Sequence, residues 1–120
     1  VLFRSGYAAD YGTSQAGSAS CTGFSQTGAD AVYTFDLAPG QRIDATLTSA
    51  NWDAAIYLIA DCNASTTTCV AGSDNGNPES FSFTHNGATP ATYFLVVDAW
   101  MTSDTTTTRE GQYALDISFN

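Results

Sequence analysis

The sequence predicts an all-β fold, an antiparallel β-sandwich of jelly-roll type with about seven or eight strands. Two observations carry this prediction. After about residue 20, segments in which apolar and polar residues alternate recur along the chain, and alternation is the period of a half-buried strand. Turn-forming combinations of Gly, Pro, Asn and Asp separate these segments, and no stretch shows a sustained helical period.

Four segments alternate in this way. In the second of them Ile43, Ala45 and Leu47 share one face, and charged or hydroxyl side chains occupy the other. Successive side chains of a strand point to opposite faces, so one face of each segment is expected to pack on a core. We predict half-buried strands at Ala31–Leu37, Arg42–Thr48, Glu79–Thr84 and Gln112–Phe119.

Two further segments are apolar on both faces. Their sequences are AAIYLIA at Ala54–Ala60 and TYFLVVD at Thr92–Asp98. Such runs are typical of central strands that are covered on both sides. Turns are predicted between the strands at Ala38–Gly40, Asp74–Pro78 and His85–Gly87.

Composition excludes several classes of protein. A chain of 120 residues is long enough for one domain with its own core. The three basic residues are all arginines, and a net charge of −9 would repel a phosphate backbone, so nucleic acid is not an expected partner. The apolar runs are far too short to span a bilayer, so no membrane span is expected.

The chain is expected to be extracellular or at the cell surface. It begins at Val1 without a methionine, which suggests a removed signal peptide or a fragment. A surface rich in threonine and free of lysine suits a secreted protein.

Cysteine usage agrees with an oxidising compartment. Cys62 and Cys69 flank a short excursion, and we predict a disulfide between them that contributes roughly 2–3 kcal/mol. The alternative is two buried thiols or metal ligands, although no His or further Cys lies nearby to complete a zinc site. Cys21 is then left as a buried thiol or as the partner of another chain.

The sequence does not predict an enzyme. The single histidine, His85, lies in a predicted turn, where a solvated surface residue is more common than a catalytic base. No serine lies in a G-x-S-x-G elbow, and the chain has no lysine. The spacing of Glu79 and Glu110 does not favour a glycosidase pair over ordinary loop acids.

Calcium is the one cofactor for which the sequence offers ligands. Hard cations take oxygen ligands from carboxylates, amides and carbonyls, and such groups fall in turns and at strand ends. The candidate ligands are Asp30, Asp74, Asn77 and Asp98. The spacing of an EF-hand is absent, and the alternative is that these residues only form turns on a solvated surface.

Glycans could be attached to the chain or bound by it. Asn63 begins an N-x-S sequon, and Thr66 and Thr106 lie in threonine runs that could carry O-linked sugar. The alternative is that these segments are plain polar loops. Trp52 and Trp100 could stack on sugar rings, but a tryptophan that closes the end of the core is the favoured interpretation.

The chain is divided into a leader at residues 1–19 and a sandwich domain at residues 20–120. Val1, Leu2 and Phe3 begin the leader with apolar side chains. Such a segment either forms the first strand of its own domain or adds a strand to a neighbouring copy. Repeated head to tail, the second arrangement produces an open filament.

Four runs resemble the bacterial pre-peptidase C-terminal domain family, and together the resemblance spans roughly residues 10–119. It is specific as an ensemble and weak in any single motif. The runs are SCTGFSQTGADAVYTF at Ser20–Phe35, NWDAAIYL at Asn51–Leu58, TYFLVVDA at Thr92–Ala99 and GQYALDI at Gly111–Ile117.

The resemblance implies a secreted, non-catalytic β-sandwich. Members of this family are often appended to extracellular proteases and other hydrolases, and some bind calcium, collagen or carbohydrate. We therefore expect a structural or interaction module whose partners are other copies of itself or a parent secreted protein. The alternative is an accessory domain that binds the substrate, including carbohydrate, of a secreted hydrolase.

Overall fold

The computed structural model of the chain describes residues 22, 31–49, 52–64, 67–99 and 112–120. Those residues form seven β-strands and one short 3-10 turn. In chain order the elements are β1 (Ala31–Leu37), β2 (Arg42–Ser49), β3 (Ala54–Ile59), the 3-10 turn (Cys62–Ala64), β4 (Cys69–Ser73), β5 (Glu79–Thr84), β6 (Ala91–Ala99) and β7 (Tyr113–Phe119). No helix in this part of the chain is long and apolar enough to cross a membrane.

The strands form two sheets. A four-stranded sheet has the order β1-β6-β3-β4, and a three-stranded sheet has the order β5-β2-β7. Each neighbouring pair in both sheets is antiparallel. The predicted all-β antiparallel sandwich is confirmed, and each sheet contains strands from both halves of the described chain.

The strand predictions are confirmed closely where the alternation is clear. β1 and β5 have the predicted bounds, β2, β3 and β7 differ from the prediction by one residue at one end, and β6 is longer by one residue at each end. β4 was not predicted, because its sequence CVAGS is short and does not alternate. Its pairing with β3 also shifts register between Leu58 and Ile59, so a regular pattern would not be expected there.

The main core lies between the two sheets. It contains inward-facing residues of both sheets, among them Ile43 and Leu47 from β2 and Ile56 and Leu95 from the four-stranded sheet, all fully buried. Burial of each such side chain contributes about 1.5–3 kcal/mol, which makes this layer the principal source of stability.

The four-stranded sheet is also buried on its outer face, away from β2. In β3, Ile56 and Leu58 point to the main core, whereas Tyr57 and Ile59 point outwards, yet all four side chains are buried. Val96 lies opposite Tyr57 on β6 and is buried in the same outer cluster. The prediction of central strands covered on both sides is confirmed for β3 and β6.

The outer face of the three-stranded sheet has the opposite character. Its side chains are polar and form cross-strand rows, with Ser82 and Ser118 on either side of Asp44 and with Ser80 and Asp116 on either side of Thr46. These side chains are exposed or half-buried. We call this surface, with Arg42 and Asn120 at one end, the polar sheet face.

The sandwich is joined differently along its two sides. On one side β4 and β5 follow each other and carry the chain from one sheet to the other. On the other side β1 and β7 are held by a hydrogen bond of 2.6 Å between the hydroxyls of Tyr33 and Tyr113. The rings of Phe35 and Phe119 also meet edge to face there, with centroids 5.4 Å apart.

The predicted disulfide between Cys62 and Cys69 is wrong. Cys62 is a free thiol in the 3-10 turn, whereas Cys69 is disulfide-bonded at the start of β4. Hydrogen bonds close the loop between them instead, because the Thr68 hydroxyl donates to the Ala64 carbonyl at 2.8 Å and accepts from the Asp61 amide at 3.1 Å. Cys21 lies outside the described residues.

A charge placed on either face of β6 should unfold the domain. We expect Val96→Asp and Val97→Asp each to lower the free energy of unfolding by more than about 3 kcal/mol, since both would bury an unpaired carboxylate. Thr48→Asp, on the exposed outer face of β2, should cost about 1 kcal/mol or less. Urea denaturation measures all three. A tolerated Val96→Asp would contradict the double burial of the four-stranded sheet.

Candidate functional site

The polar sheet face contains a connected hydrogen-bond network on Asp44. β2 places Arg42 and Asp44 two residues apart on one face, and Ser82 lies opposite Asp44 on β5. Oδ1 of Asp44 accepts from Nε and Nη2 of Arg42 at 2.9 and 2.6 Å and from the Ser82 hydroxyl at 2.5 Å. Oδ2 accepts from Nδ2 of Asn120 at 2.9 Å. The network thus joins β2, β5 and the residue that follows β7.

The electrostatics of this network favour an ionised carboxylate. The Ser82 hydroxyl and then the Arg42 guanidinium lower the pKa of Asp44 by donating hydrogen bonds to its charged form. The pair of Arg42 and Asp44 is exposed to solvent, so its charges are screened and its geometry matters more than its energy. At neutral pH this end of the face presents hydroxyl and amide groups around a nearly neutral ion pair.

The sequence analysis did not single out this network. The signal was present, because oppositely charged residues at positions i and i+2 of a strand share a face. What the sequence could not supply was the register that brings Ser82 and Asn120 to the same carboxylate.

His85 is a buried structural residue. It follows β5 and is 6% exposed. Its Nδ1 forms a hydrogen bond of 2.8 Å with the Tyr93 hydroxyl. Nε2 donates to the Thr89 carbonyl at 2.7 Å, since a carbonyl oxygen can only accept. Burial raises the pKa of Tyr93 beside it. The expectation of a solvated turn histidine is wrong, and both ring nitrogens are engaged within the fold.

A glycine allows the loop after β5 to close on this ring. A Cβ atom at Gly87 would stand 2.6 Å from Cε1 and 2.9 Å from Nε2 of His85. The loop therefore packs its own backbone against the imidazole. The sequence pattern H-N-G, which predicted a turn, in fact marks this close approach.

Glu79 organises the loop between β4 and β5. Its carboxylate is 1% exposed and accepts from the Ser73 hydroxyl at 2.5 Å, the Asn75 amide at 2.9 Å and the Gly76 amide at 2.6 Å. Gly76 has a φ of 148°, a conformation that favours glycine. The loop amides thus surround a carboxylate of the protein itself.

The predicted calcium ligands have different surroundings. Asn77 bonds through its side chain to the backbone of Ser49, accepting at 3.1 Å and donating at 2.8 Å. Asp98 is fully buried in β6 and accepts from the Tyr57 hydroxyl at 2.8 Å. Asp74 lies half-buried in the loop after β4, and Asp30 is outside the described residues.

The described ranges contain no group of three or more His, Cys, Asp or Glu side chains that could hold a metal ion. Calcium therefore stays a prediction from the sequence. The side chains of Asn77 and Asp98 have protein partners that a cation would have to share or replace.

The candidate glycan residues are only in part within the described chain. Asn63 is exposed in the 3-10 turn, and its backbone amide donates to Asp61 at 2.8 Å. Trp52 donates its indole N–H to the Gln112 carbonyl at 3.0 Å and packs beside Tyr113, which fits closure of the sandwich end. The others lie outside the described residues, as do the assembly residues: Thr66, Thr106, Trp100, Val1, Leu2 and Phe3.

Comparison with known proteins gives one result beyond the fold. Residues 30–99, more than half of the chain, match the family model described as bacterial pre-peptidase C-terminal domain. The matched range begins one residue before β1 and ends with β6. No curated protein matches the chain.

Replacing the buried loop carboxylate should destabilise the domain. In Glu79→Gln an amide group would face backbone donors, so we expect a loss of about 3 kcal/mol in the free energy of unfolding. Asp53→Asn, at an exposed position, is the matched control and should change it by less than about 0.5 kcal/mol. Equal effects of the two variants in chemical denaturation would contradict the structural role of Glu79.

The Asp44 network should make stability depend on pH in the acid range. Because the pKa of Asp44 is lowered in the folded state, its contribution is complete above the unfolded value of about 4 and is lost as pH falls through the folded pKa. Wild type should therefore melt above Asp44→Asn at about pH 6, and the difference should shrink towards about pH 2. Asp116→Asn, on the same face, is the control. A difference in melting temperature that stays constant with pH would contradict the network.

Proposed function

The chain belongs to the bacterial pre-peptidase C-terminal domain family, and we propose that it is a non-catalytic, secreted module with a structural or interaction role. One observation carries this proposal. His85, Glu79 and Asp98 are buried and each is bonded to a partner within the domain, while the polar sheet face is left open to other molecules.

The state of the buried groups supports a non-catalytic role. A general base must reach the proton of a substrate and accept it. His85 is enclosed with both nitrogens engaged, and the Glu79 carboxylate is occupied by loop donors. Their geometry suits the fixing of loops rather than proton transfer to a bound molecule.

The disulfide-bonded state of Cys69 supports an extracellular location. Structural disulfides persist in oxidising compartments and are rare where thiols are kept reduced. The acidic, lysine-free composition is compatible with the same location.

We further propose that the module assembles with copies of itself through Val1–Phe3. β1 and β7 are edge strands on the same side of the sandwich, and within the described ranges no strand pairs with their outer edges. Val32 on β1 is 36% exposed and Phe119 on β7 is 46% exposed. An extended apolar segment from a second copy could add to such an edge, and head-to-tail repetition would produce a filament.

Family membership supports a second candidate, an accessory domain that binds the substrate of a secreted hydrolase. The polar sheet face offers hydroxyls and carboxylates in regular rows, and such groups bond readily to carbohydrate hydroxyls. In this case the contact surface would be the polar sheet face rather than the edges.

Assembly is tested by charge substitutions in the leader. We expect wild type to form filaments in negative-stain microscopy and the double variant Leu2→Asp/Phe3→Asp to remain monomeric in light scattering, because a charged segment would not pack on an apolar edge. Val70→Asp, at an exposed apolar position on β4, is the control and should assemble as wild type does.

A wild-type chain that is monomeric with its leader intact would refute strand donation. The same material is then passed over polysaccharide resins. Retention that Thr46→Lys abolishes and Val70→Lys leaves unchanged would support the accessory domain instead.

A further inference from the structure

The chain contains two Asn-Gly pairs, and both lie in loops next to β5. Asn75 and Gly76 belong to the loop between β4 and β5, and Asn86 and Gly87 belong to the loop between β5 and β6. Asn-Gly is a chemically labile pair, because glycine has no side chain to keep its backbone nitrogen away from the asparagine side chain. All four residues are exposed, so the reactivity of each pair depends on how its loop holds the backbone.

The reaction of such a pair needs only water. The glycine nitrogen loses its proton and forms a bond to Cγ of the asparagine, the bond from Cγ to the side-chain nitrogen breaks, and ammonia leaves behind a cyclic imide. Water then opens the imide. Attack at Cγ gives aspartate, and attack at the backbone carbonyl gives isoaspartate; either product adds one negative charge. The glycine N–H must therefore be able to lose its proton and turn towards the side chain.

The first pair is held in a way that opposes this reaction. The Gly76 amide donates to Oε1 of Glu79 at 2.6 Å, and the Asn75 amide donates to Oε1 and Oε2 at 3.0 and 2.9 Å. The Glu79 carboxylate is buried, so breaking these bonds would leave a charged group without its donors. The loop thus directs the Gly76 nitrogen towards Glu79 and away from the asparagine side chain.

The second pair is not held at its glycine amide. Within the described ranges, no hydrogen bond involves the amide of Gly87. Gly87 instead packs against the imidazole of His85, where an added Cβ would stand 2.6 Å from Cε1. We propose that Asn86 is a site of spontaneous deamidation and isomerisation, and that Asn75 is protected from the same reaction by Glu79. The inference goes beyond the proposed function and does not depend on it.

The labile peptide bond lies inside a closed loop. Nε2 of His85 donates to the Thr89 carbonyl at 2.7 Å, and the His85 amide donates to the Gln41 carbonyl at 2.9 Å, so both ends of the loop are fixed. Isoaspartate lengthens the backbone between these ends by one methylene. Gly87 packs too closely on the imidazole to accept the extra atom without moving. Conversion of Asn86 therefore loosens the contact between this loop and His85.

Ageing of the folded wild-type chain tests the site. The protein is incubated at mildly alkaline pH, denatured and cleaved after Glu79, which places Asn75 and Asn86 on different peptides. Mass spectrometry then measures the replacement of amide by acid, and enzymatic methylation detects isoaspartate. We expect Asn86 to convert at least about tenfold faster than Asn75, because Asn75 reacts only when its loop opens.

The same chain incubated in urea is the control. Without the fold, Asn75 and Asn86 should convert at similar rates, since both are followed by glycine. Equal rates in the folded chain, faster conversion of Asn75, or a folded chain in which neither residue converts while both do so in urea would overturn the proposal.

Serine variants test the effect on the loop. Asn86→Ser removes the reactive amide, and Asn75→Ser, which keeps the backbone donors of its own loop, is the matched control. Once Asn86 is largely converted, Tm of wild type and of Asn75→Ser should have fallen by about 2 °C or more, while Tm of Asn86→Ser stays at its starting value. An unchanged Tm in converted wild type, or an equal loss in all three proteins, would contradict the loosening of the loop.

Discussion

The structure depends on the need to remove both faces of the four-stranded sheet from water. β3 and β6 are apolar on each side, and exposing either face would forfeit about 25 cal/mol for every square ångström of apolar surface. The three-stranded sheet covers one face with Ile43 and Leu47. The outer cluster around Tyr57 needs a second layer. The three-stranded sheet differs, because its outward-facing side chains are polar and its outer face can therefore stay in contact with water.

The buried polar groups are the second consequence of this layering. Loops that cross the ends of tightly packed sheets carry backbone groups that cannot all reach water, and each needs a partner. Glu79 provides acceptors for the loop after β4, and His85 donates to the loop after β5. Asp98 and Tyr57 pair within the outer layer. Side chains that serve as reactive groups in an active site here hold loops and layers in place.

The accuracy with which each feature could be predicted depends on whether its sequence pattern is local. Alternation fixes the face of every residue in a strand, so β1 and β5 were predicted to the residue, whereas the bulged β4 has no such pattern. Cysteine pairing and the Asp44 network depend on cross-strand register, which is a non-local property. Cys62 is seven positions from Cys69 but belongs to a turn that hydrogen bonds already close. Nearness in sequence was therefore the wrong guide to the disulfide.

The contrast between the two outer faces constrains how the domain can contact other molecules. Val96 and Ile59 on the outer face of the four-stranded sheet are completely buried, so their side chains are not accessible to a partner and that face is a poor place for reversible binding. The polar sheet face and the β1–β7 side carry no such penalty, since their exposed groups are already solvated. A domain with this arrangement keeps its apolar side chains in the interior and offers partners an edge strand and rows of hydroxyl groups. Both of the functions considered above use those surfaces.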